Sequence, residues 1–257
     1  MHDDTVVDEF TGQAETFNLS AAANDAAVLE ALLRLAAPRA GQRWLEAACG
    51  PGVISRRLAP AVGSVHGIDL TPAMVELARA GAAAAGVANA SFGRGDATAT
   101  GLPGGTFDGA VTRFSLHHIP VPLRVVEELA RVVAPGGAVV IADHLGDEDA
   151  GALAWSQEIE RLRDPSHWAS LPAARLRGLG ATAGLELEAE EVVPLVLDLE
   201  DWLARGSGGA ANRAVLERAF GACPAGAERF VVAECDGRRV LRLQVWMGRW
   251  RRPAQAS

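Results

Sequence analysis

Residues 43–52 read Arg-Trp-Leu-Glu-Ala-Ala-Cys-Gly-Pro-Gly, a short apolar run that meets a carboxylate and breaks into a turn of small residues. A strand that breaks into a helix through small residues lets the backbone approach a ligand closely. The helix start also exposes free N–H groups. Glu46, Ala48, Cys49, Gly50 and Gly52 are therefore candidate contacts to a nucleoside-bearing ligand. Asp69 lies 17 residues beyond Gly52, in Gly-Ile-Asp-Leu-Thr-Pro. An acidic residue ending a second strand can accept hydrogen bonds from both ribose hydroxyls. Thr71, rather than Asp69, suits the helix cap, because Pro72 then falls at the first helical position. Asp96 can accept from the exocyclic amine of a purine. Arg113 to His118 and the neighbours Asp143 and His144 add titratable groups to the set.

These residues need a frame that brings them to one edge. Five short apolar segments recur at Arg43–Ala47, Ser64–Ile68, Ala90–Gly93, Gly109–Thr112 and Ala138–Ala142. Helix-compatible stretches separate them at Val53–Leu58, Pro72–Ala85 and Pro122–Val133, and Pro135-Gly136-Gly137 reads as a stop for the last of these. This alternation predicts βαβ units and a parallel sheet covered on both faces. Residues 20–37 read as an amphipathic helix ahead of it. Helical patterns at 153–162 and 172–183 follow it, then strands at Leu185–Val193 and Val240–Met247. In the last strand Leu241, Leu243 and Val245 alternate with Arg242, Gln244 and Trp246. Residues 205–212 read as a flexible loop, and the tail from Arg251 to Ser257 as frayed. The expectation is an α/β, Rossmann-like, doubly wound sheet of seven mostly parallel strands with an N-terminal helical cap. It forms one domain over 1–257: cap helices at 1–40, ligand-binding core at 41–145, and a C-terminal half at 146–257. In an open sheet of this kind ligands bind outside the carboxyl ends of the strands, where the polar residues named above fall.

Composition narrows the chemistry. The chain has 257 residues, 49% of them hydrophobic, and a formal net charge of −8, which supports a sizeable core and argues against a nucleic-acid-binding surface. No apolar run is long enough to span a bilayer, and the N-terminus lacks the basic and apolar regions of a secretory signal. Three cysteines without Cys-x-x-Cys spacing suggest a reducing cytoplasm. Cys49 reads as a small packed thiol in the turn rather than a nucleophile. Asp143 and His144 lack a suitably spaced third ligand, so no metal site is expected. All 24 basic residues are Arg and the chain has no Tyr, so a Schiff-base lysine, a P-loop lysine and a Tyr–Lys proton relay are excluded.

Glu46-x-Ala48-x-Gly50-x-Gly52, the Asp69 and Asp96 positions and Pro135-Gly136-Gly137 together resemble class I S-adenosylmethionine-dependent methyltransferases. Ser115-Leu-His-His-Ile119 is similar to the ubiquinone/menaquinone C-methyltransferase branch and its small-molecule relatives. The resemblance covers roughly residues 10–145 and reaches, less specifically, to Ile159–His167; the family usually has Gly where Ala48 stands. It implies S-adenosyl-L-methionine as cofactor. Glu46, Ala48, Gly50 and Gly52 would hold its methionine part, and Asp69 its ribose. Leu70 and Met74 would pack near the adenine, with Asp96 and Ala97 at its edge. Arg113 and Phe114 would lie beneath the sulfonium, and Phe17 where relatives place an aromatic lid.

A dinucleotide fits less well. The third glycine of Gly-x-Gly-x-x-Gly is Ser55 here, and the Glu46 carboxylate would repel a pyrophosphate yet suit a sulfonium or ammonium. The function expected is methyl transfer to a small molecule, at carbon or oxygen, with an aromatic or polyketide-like acceptor. Alternatives are a cofactor-assisted cyclisation or elimination without methyl transfer and, more remotely, an NAD(P)-dependent oxidoreductase. If the acceptor needs a base, His118 and His144 with Asp143 are the candidates. His117, Arg163, His167 and Trp168 are candidate substrate contacts, although Arg163 and Asp164 also read as a surface ion pair. Partners beyond a small molecule are not expected: no nucleic acid, no stable membrane association, and a monomer or homodimer.

Overall fold

The computed structural model describes residues 2–254, and of Glu15 the backbone alone. Five parallel strands form the frame: β1 (Arg43–Ala47), β2 (Ser64–Asp69), β3 (Ala90–Arg94), β4 (Phe107–Arg113) and β5 (Val133–His144). The sheet continues through β6 (Glu186–Asp198), β7 (Phe230–Cys235) and β8 (Arg238–Arg251). Its order is β3-β2-β1-β4-β5-β8-β6, with β7 on β8, and β8 runs antiparallel to β5, β6 and β7. One sheet thus joins the 41–145 core to the 146–257 half.

The strands number eight among the described residues, not the seven expected. The additional one is β7, joined to β8 by Asp236-Gly237 with φ of 50° and 73°. An Asp-Gly pair with both residues left-handed is a favoured two-residue hairpin. β8 is long enough to pair with β5 through one part and with β7 through another.

The helices cover both faces. α1 (His2–Gly12), α2 (Ala14–Leu19), α3 (Ala21–Asn24) and α4 (Ala26–Ala36) precede the sheet. The single helix expected over 20–37 is broken at Asp25, whose carboxylate accepts the Val28 N–H at 2.9 Å and starts a new helix. α5 (Val53–Leu58), α6 (Pro72–Ala84) and α7 (Pro122–Val132) connect the parallel strands; α8 (Ala150–Arg163), α9 (Ala173–Thr182), α10 (Leu199–Arg205), α11 (Ser207–Ala211) and α12 (Arg213–Gly221) belong to the second half. Val28, Leu29 and Leu32 of α4 pack on one face with Trp44 and Met247. Val125, Val126 and Leu129 of α7 and Leu176 of α9 pack on the other with Trp246 and Trp250.

Four further expectations need correction. Residues 205–212 are not a flexible loop but contain α11; a Cβ on Gly206 would meet the Arg163 carbonyl oxygen at 2.2 Å, and one on Gly209 the Leu203 carbonyl oxygen at 1.9 Å. Those glycines serve close backbone packing. Pro135-Gly136-Gly137 lies inside β5, after α7 has ended, and Gly136 N–H and Gly137 C=O pair with Arg252. Trp246 is buried rather than outward-facing, because helices cover both faces of the sheet where β8 is central. Arg251 belongs to β8 rather than to a frayed tail, and residues 255–257 lie outside the described residues.

Gly180 tests the packing. Ala normally stabilises a helix interior over Gly by about 1 kcal/mol. Here the added methyl would meet Trp250 Nε1 at 2.2 Å. Gly180→Ala is therefore expected to destabilise the protein by about 1–3 kcal/mol, read by urea unfolding; a gain in midpoint would show that Trp250 yields freely.

Candidate active site

The carboxyl ends of β1, β2 and β4, with α1 and α2 laid over them, enclose a cleft of about 290 Å³. Its floor follows from the turn after β1. Ala48, Gly50 and Gly52 all have positive φ (51°, 49° and 71°), which folds the chain back within five residues. Ala48 adopts the left-handed conformation at a cost of about 1–2 kcal/mol, and Phe114 (φ 53°) does the same on the other side of the cleft. Cys49 N–H donates to Ile68 O at 2.9 Å, tying the turn to β2. Gly52 then starts α5.

Three carboxylates from the strand ends edge the cleft, and Asp3 of α1 adds a fourth. Glu46 Oε2 accepts the Ser55 N–H at 2.7 Å and the Ser55 hydroxyl. Asp69 takes the Gly50 N–H at 2.7 Å through Oδ2 and the Thr71 N–H at 2.9 Å through Oδ1. Thr71 occupies the cap position of α6 but makes no side-chain cap bond; its own N–H goes to Asp69, which also lines the cleft. Asp96 Oδ1 accepts from the Thr98 N–H and hydroxyl, both at 2.7 Å. Burial pushes the Glu46 carboxyl up to about 7, against the Ser55 bonds and the charges of Arg113 and Arg56. Burial likewise raises Asp69 against its two N–H donors. The Cys49 thiol rises well above its ordinary value through burial and the nearby Glu46 and Asp69, which keeps it protonated.

Phe17, Ala48, Cys49, Gly50, Leu70 and Met74 also line this space. So do Ala97, Arg113 and Phe114, with the Arg113 guanidinium over the Phe114 ring at 4.7 Å and bonded to Ala23 O at 2.8 Å. Gly52 does not: a Cβ there would meet the Phe92 ring at 2.8 Å and Ala78 Cβ at 3.0 Å, so its missing side chain serves helix packing.

The histidines divide. His118 lines the cleft. Its Nδ1 lies 3.1 Å from Ser166 O. A carbonyl only accepts, so Nδ1 carries the proton and Nε2 keeps its lone pair. His117 turns instead to Asp143, which takes both its ring and its backbone N–H. Burial opposes charge on His117, but the Asp143 charge and hydrogen bond prevail and its pKa moves upward. Burial and the His117 charge drive His118 down to about 3 and His144 well below its ordinary value.

Several expected site residues lie off the cleft. His117, His144 and Arg163 border an adjoining cavity of about 30 Å³. Asp143 borders neither space and acts on His117. His167 is buried against Gln157 Oε1, and Trp168, 47% exposed, stands over a shallow outer groove with its ring against His2. Arg163 is buried, not a surface ion partner: it pairs with Asp164 at 3.2 Å and lies over Trp202 at 4.7 Å. Residues that the sequence did not single out are Phe10 and Gln13, brought in by the cap helices, and Arg205 from α10. No periodicity marks them, since each is placed by tertiary packing.

Residues 45–137 match the family described as a methyltransferase domain. The chain is 29% identical to the uncharacterized methyltransferase YcgJ of Bacillus subtilis over 175 residues, 68% of this chain and 69% of that one. The crystal structure of YcgJ superposes with a TM-score of 0.82 at 24% identity, covering 88% of this chain and 98% of that chain. Identity is 34% to a demethylmenaquinone methyltransferase of Clavibacter sepedonicus, over 50% of this chain and 51% of that protein. It is 33% to the aklanonic acid methyltransferase DauC of a Streptomyces, over 42% of this chain and 50% of that protein. The match thus spans about half the length of these last two relatives.

Glu46 gives a pH signature. Positive charge beside it favours its ionised form, so a cationic ligand in the cleft, tested with S-adenosylmethionine, should release a proton on binding near neutral pH and bind more tightly as pH rises through about 7. In the free protein the sign is reversed. Its carboxyl is raised from 4.5, so the native state binds more protons than the unfolded chain between 4.5 and about 7, and stability falls as pH rises through that window. Calorimetry in two buffers of different ionisation enthalpy reads the proton release. Glu46→Gln should abolish it, and release that persists in this variant would refute the assignment.

Proposed function

We propose, from the premise that the chain belongs to the class I S-adenosylmethionine-dependent methyltransferases, that it methylates a small molecule at carbon or oxygen, of aromatic or polyketide-like type. The observation that carries the cofactor reading is the Glu46–Ser55 contact. The N–H of Ser55 is one of the free donors at the start of α5, where a pyrophosphate would otherwise sit, and a buried carboxylate already fills it. A cleft edged by Glu46, Asp69 and Asp96 suits a cation carrying an adenosine and disfavours a dinucleotide. Its volume of about 290 Å³ is at the lower end of ligand pockets, about 300–1,000 Å³.

Bound there, S-adenosylmethionine would supply an activated methyl group on a positively charged sulfur. The protein has three tasks: hold that group, exclude water, and remove the acceptor's proton. Asp69 holds the ribose, Asp96 with Ala97 the adenine edge, and Glu46 the charged methionine end. Phe10 and Phe17, whose rings meet at 5.8 Å, close the cleft from the cap helices. His118 lines the cleft and is neutral at neutral pH, so it accepts a hydrogen bond from the acceptor there; held near 3 it is a weak base and takes a proton only from an acceptor already acidified in the site. Asp143 and His117 position this network. The aromatic or polyketide-like acceptor is supported by the names of the demethylmenaquinone and aklanonic acid relatives. A reducing cytoplasm suits the three free cysteines.

Two measurements test this. Calorimetry should show S-adenosylhomocysteine binding and no NADH binding; the reverse would overturn the family premise. Asp69→Ala should weaken the thioether by about 2–4 kcal/mol, because two hydrogen bonds to a carboxylate are lost, and an unchanged constant would remove the ribose role. Mass spectrometry of candidate acceptors with labelled cofactor should show a gain of one methyl; a product of unchanged mass would indicate cyclisation or elimination.

His118→Ala should lower turnover by about tenfold at saturating cofactor, less than the ~10²–10⁴-fold expected of a base matched to neutral pH. Because His118 is held near 3, the wild-type rate should show no limb from its titration between pH 5 and 8. Full turnover in His118→Ala would mean that the acceptor needs no base there.

A further inference from the structure

The small cavity beside the cleft collects polar atoms that the fold leaves unsatisfied. Gln13 Nε2, Arg163 Nε and both ring nitrogens of His144 are buried without a hydrogen-bond partner. All three side chains border this one space. Gln13 is 6% and Arg163 8% exposed. A buried polar group left unpaired costs about 1–3 kcal/mol, so four such atoms converging on one void call for an occupant that pairs with them.

The chemistry on offer is mostly donation. Arg163 Nε can only donate, the Gln13 amide nitrogen donates, and a neutral imidazole donates through one of its nitrogens. Arg205 adds a second guanidinium to the lining. Asp164 also lines this cavity, but its oxygens, like those of the carboxylates nearby, are already paired. Asp164 Oδ1 accepts from the Ser166 N–H and hydroxyl, and its Oδ2 from Arg163 Nη2. Asp143 accepts from His117 and from the His144 N–H, and Glu160 lies 3.5 Å from Arg163 Nη2. The volume, about 30 Å³, admits one small head group rather than a whole molecule. Phe10, Phe17, Phe114 and His118 border both this cavity and the cleft, so the two spaces adjoin across those side chains.

We infer that this cavity anchors an oxyanion of the methyl acceptor, a phenolate, enolate or carboxylate oxygen, with Arg163, Gln13 and His144 as its donors. The inference rests on the cofactor reading of the larger cleft and names the acceptor class that goes with it. The rest of the acceptor lies among Phe10, Phe17 and Phe114, which favours a flat, conjugated body. An amine would set its own N–H groups against these donors and two guanidinium groups, so the cavity selects against amine acceptors.

The test uses the full chain saturated with S-adenosylhomocysteine. Benzoate and 4-nitrophenolate are titrated in, with benzamide and benzylamine as neutral and cationic controls. Binding is read by calorimetry and by fluorescence of Trp202, which stacks under Arg163. Both anions should bind at least about tenfold more tightly than the controls. Gln13→Glu, which places a carboxylate in the cavity, should erase that preference while leaving thioether affinity within about threefold. Arg163→Gln should weaken both anions likewise; where loss of the Asp164 pairing prevents folding, Gln13→Glu alone decides. Equal binding of the controls, anion binding unchanged by Gln13→Glu, or no anion binding at millimolar concentration (a cavity for water only) each overturns the inference. A wild-type protein that does not bind the thioether fails at the first titration and overturns the cofactor reading instead.

Discussion

The buried Glu46 carboxylate, bonded to Ser55 at the start of α5, is the contact on which the site depends. It joins the end of β1 to the helix that follows, so it fixes the turn between them. It also occupies a donor position that would otherwise attract an anion. Taking a carboxylate out of water is costly, and the pKa of about 7 records that cost. Two hydrogen bonds to Ser55 offset part of it, and a bound cation would offset more. The fold therefore holds a charge at this place that is better satisfied with ligand than without.

The parallel half of the sheet was legible because its signals are local. Apolar runs of four or five residues mark β1 to β5, and Glu46, Asp69, Asp96 and Asp143 fall at or just beyond the ends of four of them. The second half was less legible. Asp236-Gly237 carried a hairpin signal, yet the β7 it introduces is short and partly exposed. Gly206, Gly208 and Gly209 read as flexibility because composition does not distinguish a glycine that moves from one that another backbone presses against. Trp246 read as outward-facing because alternation assumes one solvent face, and β8 has none where it runs between β5 and β6. In the site, the residues on strand ends were accessible to sequence reasoning, and of those brought by the cap helices only Phe17 was, through the family resemblance. Gln13 and Phe10 acquire their places only when α1 and α2 fold over the sheet.

The histidine cluster shows how one ion pair sets several protonation states. His117 and His144 stack at 4.6 Å, and His117 and His118 lie 4.2 Å apart, so two imidazolium ions cannot coexist there without a large penalty. Asp143 decides which ring carries the charge. Once His117 is cationic, its field adds to burial in holding His118, His144 and His167 neutral. Asp143 thereby controls the basicity of a residue it does not touch.

The two spaces have opposite electrostatic character. Carboxylates outnumber guanidinium groups around the cleft (Asp3, Glu46, Asp69 and Asp96 against Arg113 and Arg124), and the reverse holds around the small cavity (Arg163 and Arg205 against Asp164). On the proposed reading a positive donor and a negative acceptor would each be matched by their own walls, and methyl transfer between them would remove both charges. Water stabilises separated charges more than it stabilises the neutralising transition state, so drying the space between the partners favours reaction over the ground state. The aromatic wall formed by Phe10, Phe17 and Phe114 has that effect here. A polar wall at the same place would restore the solvation that the charged ends of the site are arranged to replace.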